Sequence, residues 1–348
     1  MAALFEVTDL DRRIYEEELR DFLPDSFVDI HTHVWRDADK NHTKDEFQRV
    51  VSWPALVAKD CSVEDLVESY RLMFPGKKVT PLMFSSVGPD DDADRLNGYV
   101  RDSARAFKFP ALLFARPEWT GPEMEEKIAA GGFLGVKVYL SLSPRYLPGR
   151  EIRIFDFLPP HQLHELDRGG QVAMLHIPRD GRLRDPVNLE QMLEIERSYP
   201  RLKLIIAHVG RAYCNEDVGD AFERLAGTKN MIFDFAANTN DWVFERLLRA
   251  FGPERVVFGS DLPITRMRMR RICESGKYVN VVPRGLYGDV SADPNMAEIG
   301  PPEAEKLTTF MYEEILAMKR ACGRAGIGAA GAEAIFSGNA RRTLGLRG

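Results

Sequence analysis

The sequence has few of the features that mark several large classes of protein. It holds only four cysteines, with no Cys-x-x-Cys pair, and they are Cys61, Cys214, Cys273 and Cys322. This predicts neither a disulfide framework nor a cysteine zinc site, and free thiols fit a reducing cytoplasm. Lys and Arg (47) do not exceed Asp and Glu (53), so the basic footprint of a nucleic-acid-binding protein is missing.

Long apolar runs are also missing. No run approaches the roughly 18 residues that a membrane helix needs, and the N-terminal stretch carries charges where a signal peptide has an apolar core. We therefore expect a cytoplasmic protein that binds neither membranes nor nucleic acid. Its hydrophobic (44%) and charged (29%) fractions are ordinary for a globular chain, and we expect one domain over residues 1–348.

Short, apolar, β-branched runs alternate with helical patterns along almost the whole chain. Eight such runs are predicted to be strands: Phe27–His33, Val79–Phe84, Ala111–Ala115, Gly135–Leu140, Gln171–His176, Lys203–His208, Met231–Phe235 and Arg255–Ser260. Strands that alternate with helices and are apolar on both faces indicate a parallel sheet covered on both sides. Eight of them favour a closed (β/α)8 TIM barrel over an open sheet.

Two of the predicted helices and two long connections complete this interpretation. Apolar spacing predicts a helix over 243–251, capped by Asn240 or Asp241, and another over 303–320 that starts after Pro301–Pro302. The connections 34–61 and 262–300 are too long for plain links. In a barrel both leave from the face where active sites are built, so we expect them to form walls of a cavity.

Four of the seven histidines stand at the ends of predicted strands. His31 and His33 end the first, His176 ends the fifth and His208 ends the sixth, while Asp261 follows the eighth. Alternation along a strand puts His31 and His33 on one side, with Asp29 on that same side one layer deeper. The sequence thus predicts five possible ligands at one mouth of the barrel. Imidazole and carboxylate together suit zinc, manganese or ferrous iron.

Six segments resemble one known family. They are Val-Asp-Ile-His-Thr-His (28–33), Phe-Leu-Gly-Val-Lys-Val (133–138), Met-Leu-His (174–176), Ile-Ile-Ala-His-Val-Gly (205–210), Val-Phe-Gly-Ser-Asp-Leu-Pro (257–263) and the end of the chain over 335–345. Together they resemble the metal-dependent amidohydrolase superfamily, in its amidohydrolase-related branch. That branch includes aminocarboxymuconate-semialdehyde decarboxylase, resorcylate-type decarboxylases and several lactonases and hydrolases. The resemblance covers nearly the whole chain.

The resemblance implies a distorted (β/α)8 barrel of the metal-dependent hydrolase type, with one divalent metal. Zinc is the expected ion and manganese the alternative. His31, His33, His176 and Asp261 are then the ligands. Asp261 also accepts the proton of a metal-activated water. His208 is the catalytic histidine, which acts as acid, base or water-orienting group.

Five further residues are weaker candidates for contact with substrate. Binuclear relatives place a carbamylated lysine at the position of Lys137, but the same Gly-Val-Lys also occurs in mononuclear members of this branch. We therefore expect Lys137 to be a polar lining residue of a mononuclear site. Arg116, Tyr139, Arg179 and Arg211 follow the third to sixth strands and would suit a carboxylate-bearing substrate.

Several functions remain open from the sequence. The first is hydrolysis of an amide, lactone or ester bond in a small molecule. The second is non-oxidative decarboxylation of an aromatic or dienoic acid, although resorcylate-type decarboxylases have Glu where this chain has His31. A non-catalytic binding barrel and a binuclear, phosphotriesterase-like or urease-like enzyme are the remaining alternatives. The expected partner is a small-molecule substrate, and a homo-oligomer is possible.

Overall fold

All eight predicted strands are present in the computed structural model, which describes residues 4–41, 49 and 51–346. Part of the long 34–61 connection therefore lies outside the described residues. The strands are β1 (Ser26–His33), β2 (Lys78–Phe84), β3 (Leu113–Phe114), β4 (Gly135–Val138), β5 (Val172–Leu175), β6 (Lys203–Ile206), β7 (Ile232–Asp234) and β8 (Val256–Val257). β3 to β8 are shorter than predicted, whereas β1 and β2 each begin one residue earlier.

Helices alternate with these strands. They are α1 (Asp9–Ile14), α2 (Val63–Met73), α3 (Ala93–Phe107), α4 (Gly121–Gly131), α5 (Pro160–Gly169), α6 (Pro186–Ser198), a distorted turn α7 (His208–Arg211), α8 (Ala221–Leu225), α9 (Asp241–Phe251), α10 (Phe310–Ala325), α11 (Ala329–Glu333) and α12 (Asn339–Leu344). The side chain of Asn240 caps α9 as predicted, accepting a hydrogen bond from the amide of Val243. Among the described helices, none combines the length and apolar character needed to cross a bilayer.

The strands close into a (β/α)8 barrel, which confirms the predicted fold. β1 pairs with β2, and β3 to β8 pair in sequence order, every pair parallel. Hydrogen bonds from Leu112 N–H to Met83 O (2.9 Å) and from Ile30 N–H to Phe258 O (3.0 Å) join the two sheets. The barrel is filled by apolar side chains from its strands: Val28, Ile30, Leu82, Leu112, Val172, Met174, Ile205 and Val257.

The predicted alternation along β1 is wrong at Asp29. The register with β2 shifts between Asp29 and Thr32, which marks a bulge. The bulge keeps His31 directed to the mouth but turns Asp29 toward α2, where it accepts a hydrogen bond from the hydroxyl of Tyr70 (2.8 Å). Asp29 is fully buried there and anchors the strand end by accepting the Ser260 amide (2.8 Å).

The connection after β8 contains a small sheet of its own. Its strands are β9 (Arg270–Glu274), β10 (Lys277–Pro283) and β11 (Met296–Ile299). The helix predicted from residue 303 begins only at Phe310, because the preceding segment is extended: the Met269 amide donates to Thr308 O and the Phe310 amide to Met267 O. Only a short 3-10 turn forms at Glu303–Lys306.

The expectation of four free thiols is wrong for one pair. Cys214 and Cys273 form a disulfide, with Cα atoms 5.8 Å apart, while Cys61 and Cys322 are free and buried. The two bonded cysteines are 59 residues apart in sequence. They meet because the loop after β6 and the strand β9 both lie over the barrel mouth, which spacing in the sequence does not reveal.

Candidate metal centre

The candidate site lies where the carboxyl ends of β1, β6 and β8 meet. His31 and His33 close β1, His208 stands two residues past β6, and Asp261 follows β8. The three ligand-type side chains of His31, His208 and Asp261 are buried and have donor atoms that all lie within 4.8 Å of one another. His33 joins them through Asp261. The predicted convergence at one barrel mouth is therefore present for these four residues.

Asp261 is the centre of the group. Its Oδ1 lies 3.4 Å from Nε2 of His31 and 3.2 Å from Nε2 of His33. His208 lies further from the carboxylate. It has no direct contact with Asp261, although its ring centroid is 4.8 Å from that of His31. His31 and His33 thus contact the carboxylate of Asp261, whereas His208 only lies near it.

The hydrogen bonds of the histidines fix which ring nitrogen faces the site. Nδ1 of His31 lies 2.9 Å from Asp234 Oδ2, Nδ1 of His33 lies 3.0 Å from Ser85 O, and Nδ1 of His208 lies 2.8 Å from Ala236 O. Because all three partners are acceptors, each Nδ1 carries the proton of the neutral ring. Each Nε2 is left with a free lone pair, which is the form that binds metals.

The distances fit a divalent ion. A tetrahedral zinc with ligand bonds of about 2.0–2.2 Å holds its ligand atoms about 3.3–3.5 Å apart. The His31–Asp261 distance (3.4 Å) lies in this range, and the His33–Asp261 distance (3.2 Å) lies just below it. The donor set of imidazole and carboxylate, with the imidazoles hydrogen-bonded from behind, is also the usual environment of such an ion.

Burial sets the charge of these groups. Burial, together with the positive charge of Lys137, holds the pKa of His31 well below its usual range, and burial lowers the pKa of His208 to about 4. Both rings are therefore neutral near pH 7. Burial alone would raise the pKa of Asp261, but the interactions with His31 and His33 outweigh it and hold that pKa below its usual range. The site thus combines neutral imidazoles with an ionised carboxylate.

Both His208 and Asp261 have left-handed backbone, with φ of 58° and 59°. Residues with a side chain rarely adopt this region, and such strain persists only where neighbouring bonds hold it. Here the amide of His208 donates to Asp234 Oδ1 (2.7 Å) and the amide of Asp261 donates to His31 O (2.8 Å). Strained backbone at two adjoining side chains supports a functional role for this end of the barrel.

His176 lies beside this group on the other side of His208. Its ring centroid is 5.2 Å from that of His208 and 4.6 Å from that of Tyr139. Its Nδ1 is buried without a hydrogen-bond partner among the described residues. A buried nitrogen without a partner is costly, so this ring has capacity for a further ligand.

Lys137 enters the site from β4. It is fully buried, and its Nζ lies 3.3 Å from Nε2 of His31. Burial lowers the pKa of Lys137 to about 8, against the attraction of Asp234 and Asp261. It is thus a lining residue of the site rather than a partner of Asp29, which the bulge in β1 turns away.

Two adjoining cavities open onto these residues. One of about 740 Å³ is lined by His31, His33, Lys137, His208 and Asp261. The other, of about 590 Å³, is lined by His176, Arg211, Tyr213 and Tyr278, and Tyr139 borders both. The long connections supply walls as predicted: Trp35 and Ser52 come from the first, and Tyr278 and Asn295 from the second.

The predicted substrate residues separate into two groups. Tyr139 and Arg211 line the cavities. Arg116 instead donates to Pro89 O (3.1 Å), and Arg179 pairs with Asp185 (3.0 Å). Among the described residues that line the two cavities, neither of these arginines is present.

Sequence reasoning missed Asp234, at the end of β7. It is fully buried and contacts both the ring of His31 and the amide of His208. The available signal was its place in Ile-Phe-Asp-Phe (232–235), an acid that ends an apolar strand. Asp261 was identified from the same kind of pattern, an acidic residue that follows an apolar strand.

Comparisons with known proteins agree with this fold. An amidohydrolase from Burkholderia multivorans with bound zinc is similar to this chain with 14% identity and a TM-score of 0.58, over 92% of this chain and 99% of the other. A probable 2-pyrone-4,6-dicarboxylic acid hydrolase from Acinetobacter baumannii, with citric acid bound, gives 14% identity, a TM-score of 0.55 and the same coverage. A 2,6-dihydroxybenzoate decarboxylase from Rhizobium gives 14% identity and a TM-score of 0.54, over 93% and 99%.

No curated protein gives a significant match to the sequence. The family model described as Amidohydrolase (Amidohydro_2) matches residues 28–346, which include every residue of the candidate centre. This family is metal-dependent, and its members are enzymes that include hydrolases and decarboxylases. The chain belongs to the amidohydrolase family.

Proposed function

We propose that the protein is a hydrolase that uses one divalent metal, zinc in the first place, to cleave an amide, lactone or ester bond in a small carboxylate-bearing molecule. The observation that carries this proposal is the group of His31 and Asp261, both buried, with the partly exposed His33, whose Nε2 atoms are free of protons and lie 3.4 and 3.2 Å from the carboxylate. His176 is proposed as the fourth ligand. Its partnerless nitrogen supports that role.

A divalent ion held there would supply Lewis acidity, which polarises a substrate oxygen and makes a nearby water more acidic. Asp261 is the proposed base. Its carboxylate stays ionised near pH 7 and can therefore take the proton of the attacking water as the new C–O bond forms. The bond to the leaving nitrogen or oxygen then breaks, and the proton is passed to that atom.

His208 is proposed to assist this proton transfer. Its Nδ1–H is committed to Ala236 O, so the neutral ring presents Nε2 to the site as an acceptor. In this state His208 can orient the attacking water or relay the proton from Asp261, and it becomes a donor only once Nε2 is protonated. Its place near Asp261 but out of direct contact suits a group that contacts water or substrate.

The second cavity is proposed to bind the substrate carboxylate. Arg211 contributes a positive charge there, with one guanidinium nitrogen fixed by Pro178 O (2.8 Å). Tyr139 and Tyr213 line the same cavity, and their hydroxyl groups can donate to an anion. A structural neighbour with citric acid bound is consistent with a carboxylate ligand.

Decarboxylation is the second candidate. It is favoured by the equally similar structures of a 2,6-dihydroxybenzoate decarboxylase and of a 5-carboxyvanillate decarboxylase from Sphingomonas paucimobilis. In that reaction a C–C bond breaks, CO₂ leaves, and the ring carbon takes a proton from His208 or Asp261, which must first gain that proton from solvent. No water is consumed.

The test incubates the zinc-loaded protein with 2-pyrone-4,6-dicarboxylate, a panel of other carboxylated lactones and amides, and 2,6-dihydroxybenzoate in ¹⁸O-labelled water. A hydrolase incorporates one ¹⁸O atom into a new carboxylate, whereas a decarboxylase releases CO₂ and leaves no label. Metal analysis should give close to one ion per chain. Two ions with a carbamate on Lys137 would contradict the mononuclear site. If the protein neither hydrolysed nor decarboxylated any of these substrates, both functions would be contradicted.

A further inference from the structure

We propose that Asp234 is a positioning residue whose single carboxylate sets the orientation of both His31 and His208. This inference rests on the proposed metal site. Asp234 is not among the described residues that line the two cavities, so it acts through the two histidines.

The first half of the argument is the bond to His31. Oδ2 of Asp234 lies 2.9 Å from Nδ1 of His31, and both side chains are buried, with 0% and 1% of their surface exposed. A carboxylate in this position can only accept, so the proton of the neutral ring must sit on Nδ1. The opposite nitrogen, Nε2, is thereby kept free for a ligand bond, and the plane of the ring is fixed.

The second half is the hold on His208. Oδ1 of Asp234 accepts the backbone amide of His208 (2.7 Å) and that of Ala236 (3.1 Å). The carbonyl of Ala236 in turn accepts Nδ1–H of His208 (2.8 Å). Asp234, Ala236 and His208 thus form a closed ring of hydrogen bonds that fixes both the strained backbone and the imidazole of His208.

No other group can replace this carboxylate. Asp234 is fully buried, so water does not take over its bonds, and among the described residues the one side chain to which it is hydrogen-bonded is His31. An alternative is that Asp234 only stabilises the end of β7. That role predicts a loss of stability but no change in which nitrogen of His31 carries the proton.

The test variant is Asp234→Asn, which keeps the shape but puts an NH₂ group at one of the two oxygen positions. If NH₂ faces His31, the ring must move its proton to Nε2 and cannot bind metal. If NH₂ faces the two amides, the ring around His208 breaks. We expect zinc affinity to fall about 10–100-fold, the scale for losing an outer partner of a ligand, and ¹⁵N NMR of the metal-free protein to show His31 protonated on Nε2.

The matched control is Asp29→Asn. Asp29 is equally buried and accepts a backbone amide from the same residue, His31 (3.2 Å), but it touches no imidazole ring. Its other oxygen faces the hydroxyl of Tyr70, which can reverse to accept from the new amide. We expect this variant to bind zinc within about threefold of the parent protein.

The outcomes separate this inference from the proposed function. If Asp234→Asn keeps the zinc affinity of the parent protein and the proton of His31 stays on Nδ1, the inference is overturned, even if the protein is an active hydrolase. Failure of the parent protein to bind zinc would overturn the proposed function, while the NMR measurement on metal-free protein would still decide the role of Asp234. If Asp234→Asn does not fold, Asp234→Glu, which keeps an acceptor, should keep the proton of His31 on Nδ1, and a proton on Nε2 in that variant would overturn the inference.

Discussion

At the scale of single residues, each histidine of the centre is defined by what its second ring nitrogen contacts. His31 is backed by a carboxylate, while His33 and His208 are backed by backbone carbonyls. A carboxylate makes the opposite nitrogen more basic than a carbonyl does. His31 should therefore be the strongest of the histidine ligands, and its loss should be the most damaging.

The roles of His31 and His208 can be separated by substitution. His31→Ala should abolish metal binding, because it removes a ligand in contact with Asp261. His208→Asn should keep most of the metal but lose turnover by about two to four orders of magnitude, the usual scale for lost acid–base help and an oriented hydrogen bond. Metal analysis and steady-state kinetics on each purified variant measure both effects.

Two further variants complete this experiment. His164→Ala removes an exposed histidine outside the site and should change neither metal content nor turnover. His176→Ala should lose metal if His176 is the fourth ligand. If His208→Asn were metal-free while His176→Ala stayed loaded, the proposed division between ligand and proton-transfer residue would be reversed.

At the scale of elements, the apolar patterns predicted all eight barrel strands and the capped helix α9, because burial on both faces leaves a simple signature. The position of the site could also be predicted from the sequence, because the carboxyl ends of the strands in a parallel barrel lie on one face. The bulge at Asp29 could not be predicted, because it depends on the register of β1 with β2. Nor could the late start of α10, since the Met267 and Met269 partners of its leading segment are distant in sequence.

The contact between α1 and the connection after β8 should contribute strongly to stability. Asp11 is buried and accepts from Arg268 (2.6 Å) and from the hydroxyl of Thr308 (2.6 Å). Burial opposes ionisation of Asp11, but these bonds outweigh it and lower its pKa. Asp11→Asn should therefore reduce the free energy of unfolding at pH 7 by about 3 kcal/mol, the scale for breaking a buried pair.

The pH dependence of this effect has a fixed sign. A carboxyl group whose pKa is lowered by folding stabilises the fold above its unfolded pKa of about 4, and this contribution is lost as the pH falls through the folded value. Parent and Asp11→Asn proteins should therefore begin to converge in stability as the pH falls below about 4, and the difference should vanish only below the lowered pKa of folded Asp11. Asp9→Asn, on the same helix but with a fully exposed carboxylate, should leave stability unchanged. Equal denaturation midpoints for parent and Asp11→Asn at pH 7 would contradict the assignment.

The disulfide should be a second stabilising link over the mouth. It joins the loop after β6 to β9 across 59 residues, and Cys273 is exposed to reductant. Closing a loop of this length is worth about 2–4 kcal/mol. We expect dithiothreitol to lower the free energy of unfolding by that amount in the parent protein and to have no effect on Cys273→Ser, which already lacks the bond. An identical response of both proteins would contradict a formed disulfide.

At the scale of the whole molecule, the barrel places its proposed ligands on three separate strands. His31 and His33 come from β1, His176 from β5, and Asp261 from the end of β8. The unfolded chain holds these residues far apart, so it cannot assemble the same site. An ion that binds the folded site must therefore stabilise the whole barrel, and this links the metal to the folding equilibrium.

This link gives a test that needs no substrate. Free zinc at a hundred times its dissociation constant stabilises the folded state by about 2.7 kcal/mol. For a chain of 348 residues, this raises the melting temperature by roughly 4 °C, given an unfolding entropy of about 2.1 cal/mol/K per residue. Differential scanning calorimetry should show this rise, and a chelator should reverse it. His31→Ala should melt at one temperature with or without zinc, whereas an equal rise in that variant would mean that the ion binds elsewhere than at the barrel mouth.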